Sequence, residues 1–235
     1  MMDGRCFIVP WRNAGWCPSG KANLIIKQST IDTPVHGMSL FPMKSWKFFF
    51  FILSWVQVAN AARVGDEAPE FILKDLKGNL HQLSGYPGRI VVLEWVHHGC
   101  PFVKKHYESG NMQALQAKYT AKDVIWLGIR TGQADMKSLL EENKNLKVRA
   151  SAILLDPAGK AAGAYGARAT PHMFVISPDG KLAYSGAVDD QPTPDPKAIK
   201  AARNYVAEAL DALLAGKQVA VKATRPYGCG IKYKR

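Results

Sequence analysis

The sequence contains no Cys-x-x-Cys pair and no cysteine–histidine spacing of a closed zinc site. Only four cysteines occur in 235 residues, and no second one follows Cys100 within a helical turn. This excludes a dithiol housed in one turn of helix, and a disulfide-dense scaffold with it. There is no internal repeat and no long low-complexity tract, so neither a stacked-repeat nor a largely disordered architecture fits. The longest apolar run, Phe48 to Val58, falls well short of the roughly 20 residues that a membrane-spanning helix needs. Acidic residues are scarce, 19 against 31 Lys and Arg, for a formal net charge of +12. The basic residues are scattered rather than gathered into a stripe. That argues against a nucleic-acid partner and for anionic surfaces or acidic partners. What the chain has is 47% hydrophobic residues, enough for one substantial core and a single folded domain.

Residues 43–61, MKSWKFFFFILSWVQVANA, combine a methionine, Lys44 and Lys47, an apolar run, and Ala59 and Ala61 around Asn60. That is the layout of a secretory signal peptide with cleavage after Ala61; a retained N-terminal anchor is the alternative. Export signals begin near the start of translation, so the expected start is Met43. Residues 1–42, which show no periodicity, are then a non-native upstream extension without a fold of their own. Removing residues 1–61 takes away Cys6 and Cys17, six basic residues and two acidic ones, leaving a net charge of +8 and two cysteines, Cys100 and Cys229. The expected organisation is a folded domain over 62–215 and a C-terminal tail over 216–235, in a periplasmic or extracellular protein with no stable membrane span after cleavage.

Along the mature chain, alternating Phe71 and Leu73, a turn at 77–79 and a second short run predict a small hairpin. The apolar stretches 90–96 and 124–129 read as strands covered on both faces. The pattern over 101–119 is helical, with Ser109, Gly110 and Asn111 predicting a kink or two consecutive helices. A helix over 133–143 should turn Met136, Leu139 and Leu140 inward. A strand over 152–155, a short helix over 160–165, and a hairpin with Phe174 and Ile176 on one face follow. A helix over 197–214 closes the domain at Gly216. Asp189 and Asp190 read as a solvated loop. The fold class is α/β, a central mixed sheet with helices on both faces, an N-terminal hairpin and a C-terminal extension.

The chemistry concentrates at residues 94–107, EWVHHGCPFVKKHY. Pro101 suits the first position of a helix, which puts Cys100 at the N-cap, where free N–H groups and the helix dipole favour a thiolate. His97, His98 and Lys104 are expected to add positive potential and lower the thiol pKa. A buried, inert cysteine is the plainer alternative. Glu94, in an apolar strand six residues earlier, would be desolvated into the range where it exchanges a thiol proton, unless it bonds to backbone or lysine instead.

A strand, a Cys-Pro at a helix start, an acidic residue six positions before it, and Thr170-Pro171 ahead of a late strand together resemble the thioredoxin superfamily. The opening GDEAPEFILKDLKGNLHQLSGYPGRIVVLEW is similar to its redoxin and peroxiredoxin (AhpC/TSA-type) branch, including exported thioredoxin-like oxidoreductases. The resemblance implies a thioredoxin-like fold, a cis Pro171 beside Cys100, and a substrate groove shaped by Thr170, Pro171, Pro101 and Trp95. It implies no cofactor. Two departures stand out. Val103 holds the place of the family's second cysteine. His97 and Pro171 stand where peroxiredoxins carry the Thr or Ser and the Arg that hold a peroxide.

An attacking Cys100 must be released by a second thiol, and Cys229 is the internal candidate. Its Gly-flanked setting, PYGCGIKY, suggests a flexible tail that brings the thiol to the site. A permanent disulfide closing about 130 residues, stabilising by up to about 5 kcal/mol, a bond between subunits, and a free thiol remain open. The leading expectation is an exported thiol–disulfide oxidoreductase, an antioxidant enzyme with Cys100 as nucleophile and Cys229 as resolver. It acts on protein or small-molecule thiols and disulfides, with hydroperoxides second, and draws on an electron donor that no motif identifies. A non-enzymatic binding module, or a copper handler using His97, His98, Cys100, His106 and Cys229, is the other class.

Overall fold

The computed structural model describes residues 61–232. The upstream extension, Cys6, Cys17 and the signal peptide before Ala61 lie outside them. Nine strands and five α-helices follow in chain order among the described residues. β1 (Ile72–Asp75) and β2 (Leu80–Gln82) form the N-terminal hairpin, and β3 (Val91–Trp95) runs into α1 (Pro101–Glu108) and α2 (Asn111–Thr120). β4 (Ile125–Thr131), α3 (Met136–Asn145), β5 (Ala152–Asp156) and α4 (Lys160–Tyr165) come next. β6 (Ala169–Thr170), β7 (His172–Ile176), β8 (Leu182–Gly186), α5 (Tyr205–Leu214) and β9 (Cys229–Gly230) complete the chain.

Seven strands form one mixed sheet in the order β2-β1-β5-β4-β3-β7-β8. β3, β4 and β5 run parallel, joined through α1/α2 and α3, as crossover connections require, and β7 lies antiparallel against β3. This is the thioredoxin-like arrangement that the sequence resembles.

The alternation within β3 explains its unbroken apolar sequence. Val91, Leu93 and Trp95 face a core built with α4, Phe174 and Ile176. Val92 and Val96 face a second core built with α1, α2 and α5. Both faces are covered, so neither tolerates a polar side chain without partners. α1 and α2 are separate helices because Gly110 stands between them at φ 75, a conformation that favours glycine.

Two predicted helices differ from the structure. On α3 only Leu139 is buried, at 3% exposure, whereas Met136 and Leu140 are 37% and 50% exposed. The helix buries one narrow stripe. The last helix is interrupted: a 3-10 turn spans Pro196–Ala201, and α5 begins only where the Asn204 side chain accepts from the Ala207 N–H at 2.9 Å. The tail after Gly216 is not loose. Val219 is buried, the Ser185 N–H donates to the Lys222 carbonyl and the Thr224 N–H to the Ser185 carbonyl, each at 3.1 Å, and β9 pairs with β6.

Candidate active site

β3 ends at Trp95, whose partner across the antiparallel ladder is His172. That register brings the cis Thr170–Pro171 bond to the end of the strand from which the chain turns into α1. Cys100 is the N-cap of α1 with Pro101 at the first helical position. Its side chain is only 1% exposed. As a thiol, Sγ donates to the Thr170 carbonyl at 3.0 Å.

The tail completes the site. Thr170 is the register partner of Cys229 and Ala169 that of Gly230, in a two-stranded antiparallel pair. The approach is close: a Cβ on Gly228, which sits at φ 135, would lie 2.0 Å from the Thr170 carbonyl oxygen. One residue, Thr170, therefore faces Cys100 through its carbonyl and Cys229 across the ladder.

The two thiols are driven in opposite directions. Burial is the largest influence on Cys100 and pushes its pKa up. The Cys229 thiol and N–H, the Val103 N–H at the helix start and the Thr170 hydroxyl outweigh it, and Cys100 titrates below the ordinary cysteine range. Cys229 is pushed up to about 11, by burial first, then by its hydrogen bond to Cys100 and by the charge there. The two are free thiols in this structure.

The other expected site residues fall in three groups. Thr170 and Pro171 are buried beside Cys100, while Pro101 is exposed at the helix start. Trp95 is a core residue, tilted against Tyr165, edge-to-face with Phe174 and donating from Nε1 to Thr131 Oγ1 at 3.2 Å, and it also lines the cavity at the cysteines. The expected positive potential takes a different form. Lys104 points to solvent. His97 and His98 both have lowered pKa values, chiefly by burial, so neither is a cation at neutral pH. His98 is bound to Glu142 at 3.3 Å.

Glu94 is desolvated as expected, but its bonds run away from the thiol. Its carboxyl is fully buried and accepts from Trp126 Nε1 at 2.8 Å, Tyr107 Oη at 2.9 Å and Gln116 Nε2 at 3.1 Å, with no bond to Cys100. Burial raises its pKa, only partly offset by these donors. It is tied to α1 through Tyr107 rather than to the sulfur.

The residues that sequence reasoning missed form a second buried cluster. Lys105, not Lys104, points inward, with Nζ 3.1 Å from Asp189 Oδ2, though off the line of a good hydrogen bond, and donating to Asp189 Oδ1 at 3.2 Å and to Tyr227 Oη at 3.1 Å. The Tyr227 hydroxyl donates to Asp189 Oδ1. His106 completes the set: Asn111 Nδ2 donates to its Nδ1 at 2.9 Å, which assigns the Nε2–H to Tyr227 Oη, 3.3 Å away. Asp189, expected in a solvated loop, is 2% exposed; Asp190 is the solvated one. Tyr227 lies two residues before Cys229, so this cluster anchors the tail to α1.

A cavity of about 460 Å³ opens against both cysteines, Trp95, His97, Arg130 and Lys232. A larger one, about 750 Å³, lies against Arg168, Arg225 and Tyr227 and contains neither cysteine. The sulfur chemistry belongs to the smaller. Among the described residues no group of three or more His, Cys, Asp or Glu could hold a metal ion.

Comparison with known proteins follows the same line. The model of the AhpC/TSA family matches residues 64–185. The thiol-disulfide oxidoreductase ResA of Geobacillus thermodenitrificans (strain NG80-2) is 29% identical over 123 residues, 52% of this chain and 68% of that protein. An uncharacterized conserved protein from Geobacillus kaustophilus superposes with a TM-score of 0.62 at 28% identity, covering 74% of this chain and 94% of that one. A hypothetical protein from Sinorhizobium meliloti 1021 superposes with a TM-score of 0.61 at 24% identity, over 74% and 97%, a likeness of fold alone.

Proposed function

The chain belongs to the AhpC/TSA family, and on that premise we propose that it is a thiol–disulfide oxidoreductase in which Cys100 attacks and Cys229 resolves. The observation that carries this reading is the shared residue: Thr170 accepts from Cys100 Sγ at 3.0 Å and is the ladder partner of Cys229.

The Cys100 thiolate attacks one sulfur of a substrate disulfide. The substrate S–S bond breaks, one half leaves as a thiolate, and a mixed disulfide forms on Cys100. Its sulfur no longer carries charge, which removes two of the three influences holding the Cys229 pKa up. Cys229 therefore becomes easier to ionise when it is needed. Its thiolate attacks Cys100 Sγ, expels the second half, and leaves a Cys100–Cys229 disulfide. Two electrons have passed to the substrate, and an external dithiol returns them. Glu94 acts as a positioning residue, holding α1 through Tyr107. With a hydroperoxide as the second substrate, Cys100 becomes a sulfenic acid as the alcohol leaves. Cys229 then condenses with it, releasing water.

The site works outside the cytosol on this reading, after removal of residues 43–61 at Ala61, with residues 62–215 as the folded domain and 216–235 contributing the second thiol. Among the described residues no helix is long and apolar enough to cross a membrane. N-terminal sequencing of exported protein that returned a start other than Ala62 would reject the cleavage.

Two variants test the mechanism. Cys100→Ser should lose exchange with a reporter disulfide altogether. Cys229→Ser should release one reporter equivalent and keep the other bound to Cys100, seen as an added mass under non-reducing conditions. Undiminished activity in Cys100→Ser rejects the assignment.

A further inference from the structure

Two features decide what can reach Cys100. The first is that the backbone beside it is already taken. Cys229 and Gly230 pair with Thr170 and Ala169, and the Ile231 N–H donates to the Arg168 carbonyl at 3.1 Å. A polypeptide strand laid against Thr170 would have to displace the chain's own tail, which Tyr227 fastens through the Lys105–Asp189 cluster. The second is the character of the space left open. The 460 Å³ cavity against Cys100 and Cys229 is lined by two cations, Arg130 and Lys232, and among the described residues by no carboxylate. A volume of this size suits a small molecule.

Arg130 is incompletely used. Its Nη1 donates to the Thr131 carbonyl at 3.2 Å, but its Nε is buried without a hydrogen-bond partner among the described residues. The nearby acid, Glu142, is bound to His98 and does not line the cavity. The enclosed Nε does not itself face a ligand, but the guanidinium at the cavity wall has no carboxylate partner there among the described residues, and its Nη atoms offer a ligand carboxylate a matching fork.

We propose that the substrate of the Cys100–Cys229 pair is a small carboxylate-bearing disulfide, its carboxylate held by Arg130 at the cavity wall while a sulfur meets Cys100. This rests on the redox reading of the two cysteines and adds the substrate class to it. Arg130 is the specificity-determining residue, and Lys232 adds charge at the mouth. The exchange is the one described above: two electrons leave the cysteine pair, the substrate S–S bond becomes two thiols, and Cys100–Cys229 closes.

The test is a single turnover of the pre-reduced full chain with three disulfides of similar size: dithiodiglycolate (anionic), bis(2-hydroxyethyl) disulfide (neutral) and cystamine (cationic). Each rate is divided by that of the same disulfide with dithiothreitol. The normalised rate should be greatest for the anion, exceeding the cation by about tenfold or more, the size of one charge-assisted hydrogen bond. Arg130→Gln should bring the anion-to-neutral ratio toward one and Arg130→Lys should restore most of it. Lys200→Gln, which removes the same charge elsewhere on the surface, should leave the ratio in place. A reduced preference for a polypeptide disulfide relative to the anion is expected as well. Equal normalised rates, a preference for the cation, or a polypeptide disulfide faster than the anion would overturn the substrate class while leaving the redox pair standing. Failure of every disulfide to oxidise folded protein would overturn the redox pair itself. Should Arg130→Gln not fold, the charge series on the unaltered chain decides alone.

Discussion

Two buried polar networks grip α1, and they are made of different material. Around Glu94 every partner is a neutral donor from the central scaffold: Tyr107 on α1, Gln116 on α2 and Trp126 on β4. Around Lys105 the bonds are between full charges or to them, and they reach outward to Asp189, Gln191 and Tyr227. The first fixes the helix that carries Cys100 to the sheet. The second fixes the tail that carries Cys229 to that helix. A buried carboxyl with neutral donors can be protonated and remain bonded, whereas a buried ion pair is committed to its partner. The nucleophile is thus held by a tolerant network and its resolving partner by an intolerant one.

The sharpest way to break the contrast is Asp189→Ala. It strands the Lys105 ammonium in the interior and should cost about 3–5 kcal/mol in denaturant unfolding. The tail should become susceptible to proteolysis in the same variant. A loss below about 1 kcal/mol would mean that the pair is solvated and the contrast false.

Acid should separate the networks next. His106, facing Asp189 and Lys105, and His172, facing Arg168, are both held down to about 4, burial being the main cause. A folded pKa below the unfolded value near 6.5 means that the unfolded chain binds more protons between roughly pH 6.5 and 4. Stability contributed by the two neutral imidazoles is complete above that window and falls through it as pH drops, by a few kcal/mol in all. Replacing His106 with Gln should flatten part of that slope, measured as unfolding free energy against pH.

A smaller effect is expected on the Glu94 side. Trp126→Phe removes one of the three donors, and the carboxyl can meet the loss by protonating, so the cost should be about 1–3 kcal/mol and should shrink at low pH. The smallest is electronic. Cys229→Ala deletes the thiol donor facing Cys100 and keeps the backbone N–H, so the pH midpoint for alkylation of Cys100 should move up; a downward move would contradict the assigned hydrogen bonds.

The scaffold was legible because it obeys local rules. The doubly covered strand at 90–96, the N-cap cysteine before Pro101 and the break at Gly110 all follow from short-range patterns that the structure keeps. The tail anchor was not legible, for a physical reason. Lys104 and Lys105 are neighbours on one helix, and nothing nearby says which turns inward. The decision is made by Asp189 and Tyr227, 84 and 122 residues away in the chain. Asp189 and Asp190 pose the same problem. Met136 and Leu140 were expected inside because helical spacing reports a stripe but not its width. The sequence suggests a cation at His98 because it shows the residue type and not the burial that neutralises it.

The clearance at Gly228 has a practical meaning. Only a hydrogen atom fits between that α-carbon and the carbonyl beneath it, so a single methyl group inserted there would pry the strap from its bed without altering either sulfur. Gly228→Ala would turn a built-in partnership into two independent thiols on one chain, and the lag between substrate capture and release would then report how long the loosened strap takes to find its seat.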